Sequence, residues 1–201
     1  RDFCLSRGLG DVYKRQMKAF AVEFYKNGKL LRNKIKNHPR YPYHLLREEM
    51  QEFILDKLQL LIERKLIKGI GENGTEYTVI AQILDLPKEI LRLIQKFDFT
   101  KKNPKLIYIN TGETMISLQD SILVTFLNLA GFDILFFVPT GYQSVENYFA
   151  EKLMEEHQIG EYKYDMQVPD LNNISTNSTR PSWRRKPVSY THLRAHETGR
   201  N

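Results

Sequence analysis

Cysteine is almost absent from this chain, since Cys4 is the only one. A single cysteine forms no disulfide within its own chain and builds no cysteine zinc site. The three histidines away from the C-terminal end, His38, His44 and His157, are scattered and lack the spacing of metal ligands. The sequence therefore predicts no metal site.

Long apolar runs are also missing. The longest, from Asp133 to Pro139, has the length of a buried strand, whereas a membrane helix needs about 18–20 apolar residues. Membrane insertion is therefore not predicted, and we expect a cytoplasmic protein.

The two ends of the chain are related as if one DNA sequence were read on opposite strands. Asp11 to Gln16 back-translates as GAT GTG TAT AAG AGA CAG, and its reverse complement, preceded by one C, encodes Pro187 to His192. This string is the mosaic end of transposase-based sequencing libraries. We therefore predict that residues 1–16 and 187–201 are translated adapter. The remainder, residues 17–186, is expected to be a fragment of a longer protein.

The basic character of the chain depends partly on these ends. The formal net charge is +6 and the sequence pI is about 9.3, values that point towards a nucleic-acid partner. Residues 1–16 and 187–201 contain six basic and three acidic residues, which is half of that excess. The aromatic residues Tyr162, Tyr164 and Trp183 lie near basic residues but on no predicted platform. Nucleic acid is therefore not predicted as a partner.

Residues 17–99 are predicted to be mainly helical. Residues 17–37 suggest a ragged amphipathic helix. Apolar residues recur at three- and four-residue steps from His44 to Lys68. A second helix is expected from Glu76 to Leu84, with a strand as the alternative. Pro87 suits the start of a third helix, from Pro87 to Phe97.

Residues 100–170 are predicted to form an α/β region. Lys105 to Asn110 and Asp133 to Val138 are short, nearly all-apolar segments that predict strands buried on both faces. Between them, Ser117 to Leu129 is predicted to be helical, with Ser117 or Thr114 as its cap. This is a βαβ unit, typical of a Rossmann-like parallel sheet.

The end of the fragment carries weaker patterns. Val145 to His157 is predicted to be a further helix, with His157 beside the negative end of its dipole. Residues 171–186 are polar and then basic, which is typical of a solvated tail.

Two loops are candidates for a ligand site, because the carboxyl ends of parallel strands meet at one edge of a sheet. Each has Thr-Gly after an apolar strand, so backbone amides, a hydroxyl and a helix N-terminus could meet a phosphate or a sugar. The predicted binding residues are Thr111, Gly112, Thr114, Thr140, Gly141, Tyr142 and Gln143. No glycine-rich phosphate fingerprint identifies a cofactor. The alternative is a pair of ordinary turns that need glycine.

Glu113 is the acidic residue of the first loop. It is the candidate catalytic residue, as a general base or as an acceptor for a sugar hydroxyl. The alternative is that it only complements the positive end of the following helix.

Three segments resemble a known family: NPKLIYINTGETMISLQDSILVTFLNLAGFDILFFVPTGYQSVENYF (Asn103 to Phe149), LPKEILRLIQKFDFTKKNPKL (Leu86 to Leu106) and EHQIGEY (Glu156 to Tyr162). They resemble the bacterial YceG-type family, a component of the "biosynthetic module" of tellurite-resistance and general stress operons. The resemblance implies a stress-response context and supplies no reaction and no catalytic residues.

Two functions follow as hypotheses. The first is the C-terminal part of an enzyme acting on a phosphorylated or glycosyl small molecule. The second is a non-catalytic module that assembles other stress-operon proteins. A pocket shared by the two loops would favour the enzyme, whereas an exposed apolar patch would favour the module.

Overall fold

The computed structural model describes residues 19–96, 103–109, 116–140 and 146–163. All of them lie in one unit, Arg1–Gln167. Residues 19–24 are helical. The elements that follow are β1 (Tyr25–Lys26), β2 (Lys29–Leu30), α1 (Arg32–Lys36), α2 (Glu48–Glu63), α3 (Thr75–Ile83), α4 (Lys88–Lys96), β3 (Lys105–Ile109), α5 (Leu118–Leu129) and β4 (Asp133–Phe137). The predicted adapter segments and the predicted tail lie outside the described residues.

A short antiparallel hairpin, β1–β2, interrupts the region predicted as one ragged helix. Its turn is Asn27-Gly28, with φ values of 52° and 79°. Two consecutive left-handed residues make the turn that suits a tight hairpin, and Asn-Gly is its strongest sequence signal. Gln59 holds the hairpin against α2, because Leu30 N donates to its Oε1 (2.8 Å) and its Nε2 donates to Gly28 O (3.0 Å). The single-helix prediction was therefore wrong here.

The helical predictions that follow are confirmed; the first and third helices are shorter than predicted, and the second is shifted by one residue. Helix α2 has its apolar face in the core, and α3 is a helix and not a strand. Helix α4 begins directly after Pro87, whose carbonyl accepts from Leu91 N at 3.1 Å. No described helix combines the length and the apolar character that crossing a membrane requires.

A buried tyrosine forms hydrogen bonds with the backbone at the end of α3. Pro87 lies four residues after Ile83 and has no N–H to donate to the Ile83 carbonyl. The Tyr43 hydroxyl donates to that carbonyl instead and accepts from Leu86 N at 3.1 Å. Tyr43 is 1% exposed, so one hydroxyl serves two backbone groups away from solvent.

Tyr41 gives the chain an expected loss of stability at alkaline pH. Its hydroxyl is buried and has no hydrogen-bond partner within the described part of the chain. Burial, followed by the nearby charge of Glu52, raises the pKa of Tyr41 from 10.0 to about 12. The unfolded chain therefore ionises first, so stability is full below pH 10 and falls by about 1.4 kcal/mol per pH unit up to about pH 12.

Urea unfolding of the wild-type chain and of Tyr41→Phe, from neutral pH to about pH 12, checks this expectation. The difference in unfolding free energy between the two should be constant below pH 10 and should grow above it. A difference that stays constant across the range would contradict the role of Tyr41.

Strands β3 and β4 are parallel, with Lys105 opposite Asp133 and Ile109 opposite Phe137. Helix α5 connects them and also packs against α2 and α3. Ile122, Phe126 and Leu127 of α5 belong to the same buried cluster as the apolar face of α2. The predicted βαβ connection and the mixed α/β class are confirmed.

The prediction that both strands are buried on two faces was wrong. Burial alternates along β3 and β4, so that one face is half-buried and the other is exposed. Leu106, Tyr108, Ile134 and Phe136 lie on the half-buried face, and Leu106, Ile134 and Phe136 pack against the core. Helix α5 covers this half-buried face, whereas the side chains on the opposite face of the two strands remain exposed.

The helix predicted from Val145 to His157 is absent from residues 146–163, which contain no regular helix. Instead, Phe149 forms an antiparallel bridge with Ile67. Ala150 N donates to Leu66 O (3.0 Å) and Lys68 N donates to Tyr148 O (2.9 Å). Phe149 is 4% exposed, so its burial and the bridge outweigh the local helical pattern.

Candidate ligand-binding edge of the β3–β4 pair

The two candidate loops start from neighbouring strand ends. Ile109 and Phe137, the last residues of β3 and β4, are paired in the parallel register. The loops therefore leave the same edge of the sheet, as predicted. Thr140 is the one predicted site residue whose position is described. The others lie outside the described residues: Thr111, Gly112, Glu113, Thr114, Gly141, Tyr142 and Gln143.

Thr140 places an unused hydroxyl at this edge. Its side chain is 5% exposed, and its Oγ1 has no hydrogen-bond partner among the described residues. Removing a hydroxyl from water without a replacement partner costs about 1–3 kcal/mol. Such groups are uncommon in folded proteins and call for an explanation.

Most other buried polar side chains among the described residues have partners, and the Tyr41 hydroxyl is the other exception. Ser121 Oγ donates to Ser117 O (3.0 Å), and Thr125 Oγ1 donates to Ser121 O (2.8 Å). Glu76 accepts from Gly71 N at 3.0 Å. Burial of a hydroxyl among the described residues is therefore usually accompanied by a hydrogen bond. The Thr140 hydroxyl departs from this pattern and is a candidate to bind a ligand group.

The N-terminus of α5 faces the same edge, because it follows the loop after β3. Ser117 caps it, as predicted, with its Oγ accepting from Asp120 N (3.1 Å) and donating to Asp120 Oδ2 (2.6 Å). The Asp120 carboxylate therefore lies in the first turn, where it complements the positive end of the helix. A second anion there would meet like charge, so this side of the edge suits hydroxyl groups better than phosphate.

A basic residue lies on the other side of the edge, beside β4. Lys163 N donates to Pro139 O at 2.8 Å, which fixes the Lys163 backbone next to the residue before Thr140. The Lys163 side chain is exposed. The sequence around Lys163 carries no local signal that places this residue at the edge.

Tyr108 lies beneath the edge, on the half-buried face. Its ring stacks on that of Phe136, with centroids 5.1 Å apart and an angle of 18° between the planes. Burial, followed by the charge of Asp120, raises the pKa of Tyr108 above its usual value. The phenol therefore stays protonated at neutral pH and can act as a hydrogen-bond donor but not as a base.

His157 is exposed in a segment without helix, so its predicted place at a helix C-terminus was wrong; its Nε2 lies 3.8 Å from Glu155 Oε2. Within the described ranges, no group of three or more His, Cys, Asp or Glu side chains could hold a metal ion. An open depression of about 540 Å³ is lined, among the described residues, by residues 30–34, which are consecutive in the chain, so it is a surface hollow.

Comparison with known protein families identifies the family of this chain. A family model described as the YceG domain matches residues 11–188. The chain belongs to the YceG-domain family. The match extends a few residues into both predicted adapter segments, whose assignment stays a prediction.

A relative in this family is the "Uncharacterized protein YceG" of Bacillus subtilis (strain 168). It is 31% identical over 93 residues, which are 45% of this chain and 17% of the relative. The chain thus spans about a sixth of that relative's length. No solved structure matches this YceG-domain chain.

Proposed function

We propose that this YceG-domain chain is part of an enzyme that binds a phosphorylated or glycosyl small molecule at the carboxyl edge of β3–β4. The sheet would be part of a larger, Rossmann-like one. The observation that carries the proposal is the buried Thr140 hydroxyl without a described partner at this edge. Ligands of open parallel sheets bind at such edges.

In this proposal, the two sides of the edge bind different parts of the ligand. A sugar hydroxyl is the suitable partner for Thr140 and for the side occupied by Ser117 and Asp120, where a carboxylate is already present. A phosphate is better placed towards β4, where Lys163 is fixed beside Pro139. A glycosyl phosphate satisfies both sides.

The loop residues complete the site in this proposal. Thr111, Gly112 and Thr114 would approach the ligand from β3, with Glu113 as the general base. Gly141, Tyr142 and Gln143 would approach it from β4. The setting we propose is the cytoplasm and a stress or tellurite-resistance response, as the family resemblance implies.

A second candidate function is a non-catalytic module that assembles stress-response proteins. The observation that favours it is the exposed apolar face of β3–β4, since large exposed apolar side chains grouped together mark interaction sites. The two functions concern different surfaces of the same strands.

Thr140→Val, with Thr125→Val as the matched control, tests the ligand site. Valine keeps the shape of threonine and removes its hydroxyl. Thr140→Val should raise the unfolding free energy by about 1 kcal/mol, because an unpaired buried hydroxyl is lost, and should weaken ligand binding. Thr125→Val should lower the unfolding free energy by about 1 kcal/mol, because its hydrogen bond is lost, and should bind as wild type.

Binding is measured in the complete protein by calorimetry with three probes: inorganic phosphate, glucose and glucose 1-phosphate. Glucose 1-phosphate should bind most tightly. The Glu113→Gln variant should still bind glucose 1-phosphate but should no longer convert it, because the proposed general base is lost. Equal affinity in Thr140→Val and wild type would remove Thr140 from the site. Failure of all three probes to bind the wild-type protein would reject the proposed class of ligand.

A further inference from the structure

The outer face of the β3–β4 pair consists of three cross-strand rows. The first row, at the amino ends of the strands, is Lys105 opposite Asp133, whose Nζ and Oδ2 atoms are 3.1 Å apart. The second row pairs two apolar residues, Ile107 and Leu135, and the third pairs Ile109 and Phe137. The face is therefore apolar over two adjacent rows and is bordered by an ion pair at one end.

The four apolar side chains of these rows are exposed, by 56% for Ile107, 50% for Ile109, 50% for Leu135 and 47% for Phe137. The opposite face of the same strands is packed against α5 and the core. Parallel strands joined by helical crossovers are normally covered by helices on both faces. The outer face of β3–β4 thus has the apolar composition of a face that is normally covered by a helix, although its side chains are exposed.

We propose that this outer face is the docking surface for an apolar helix of the same polypeptide, contributed by a part of the source protein outside residues 17–186. The length of the Bacillus relative supports an occupant from within the chain, because the 93 residues that align with that relative make up only 17% of its length. The connection rule for parallel sheets supports a helix, since each further parallel strand brings a crossover of a dozen or more residues.

The dimensions of the face fit a short helical contact. Alternate residues on a strand are about 6.6 Å apart and neighbouring strands about 4.8 Å apart. Residues four apart on a helix are separated by about 6 Å along its axis. An apolar pair at this spacing on the incoming helix matches the two apolar rows, and the Lys105–Asp133 row lies at the polar border of the contact.

Thiol protection tests the proposal without reference to ligand binding. Leu135→Cys and Ile107→Cys are introduced singly into the 201-residue chain in a Cys4→Ser background. The same substitutions are introduced into the complete protein encoded by the source DNA, with any cysteines of its own replaced by serine. Glu49→Cys, at an exposed position of α2, is the control. Both sheet cysteines should react with a maleimide about tenfold or more slowly in the complete protein, because only opening of the contact exposes them. Glu49→Cys should react at the same rate in both.

A photo-crosslinker attached to the thiol of the Leu135→Cys variant identifies the occupant. The expected crosslinks fall within the same polypeptide, outside residues 17–186, at positions three or four apart. Equal reactivity of the sheet cysteines in both proteins would overturn the proposal. So would protection in the 201-residue chain that increases with concentration, since a second copy would then be the occupant. A source reading frame that adds no chain would also overturn it.

The proposed ligand site and the proposed docking surface can fail separately. Thiol protection does not depend on glucose 1-phosphate, and sugar phosphate binding does not require access to the outer face. Protection without ligand binding would therefore reject the ligand site alone, and ligand binding without protection would reject the docking surface alone.

Discussion

Phe126→Ala should lower the unfolding free energy by about 3–5 kcal/mol. Phe126 is fully buried on α5, the helix that packs against α2 and α3 as well as β4. Truncation removes the apolar ring from the core and leaves a cavity. The elements packed around α5 can only partly close this cavity, so their contacts with the ring are lost.

Chemical denaturation measures this effect, with Gln119→Ala as the control on the same helix. Gln119 is exposed, so its replacement should change the unfolding free energy by less than about 0.5 kcal/mol. A Phe126→Ala loss as small as that of Gln119→Ala would mean that α5 does not organise the core. In that case the position of β3 and β4 on α5 would need revision.

Tyr43→Phe should lower the unfolding free energy by about 3 kcal/mol although it removes a single oxygen atom. The hydroxyl donates to Ile83 O and accepts from Leu86 N. Without it both backbone groups stay buried, and Pro87 has no N–H with which to replace the donor. Each unsatisfied group costs about 1–3 kcal/mol.

The matched control is the neighbouring substitution Tyr41→Phe. The two rings contact each other, with centroids 5.6 Å apart, and both residues are buried. The Tyr41 hydroxyl has no described partner, so Tyr41→Phe should leave the unfolding free energy at neutral pH unchanged or increase it. Equal destabilisation by both substitutions would show that the loss comes from the aromatic cluster and not from the hydrogen bonds.

Local patterns predicted the elements whose apolar residues follow one period and whose ends carry a cap or a stop. Helix α5 is an example, because Ser117 caps it and Gly131 has a positive φ of 102° beyond its end. The Asn27-Gly28 hairpin could also have been predicted, since the dipeptide is a strong signal that the lysine-rich composition obscured. Burial on one face of β3 and β4 could not have been predicted, because four of the six exposed positions on these strands are themselves apolar.

The segment after β4 shows where local reasoning fails. Residues 146–150 have a helical pattern, yet Phe149 is held in the core through its bridge to Ile67, far away in sequence. At the candidate site, the sequence indicated the edge and Thr140 as a member. It could not indicate that the Thr140 hydroxyl lacks a described partner or that Lys163 lies beside Pro139, since both depend on tertiary contacts.

The bridge between Ile67 and Phe149 also has a consequence for the order of folding. Beside it, Lys68 Nζ donates to Asn147 O at 2.8 Å across 79 residues of sequence. Contacts of such long range form late, because closing the loop costs entropy before it gives contacts. During synthesis, α2 and α3 therefore leave the ribosome well before Phe149 reaches its place beside Ile67. Nascent chains that end before residue 149 should be unusually dependent on chaperones, since part of their core is still open to water.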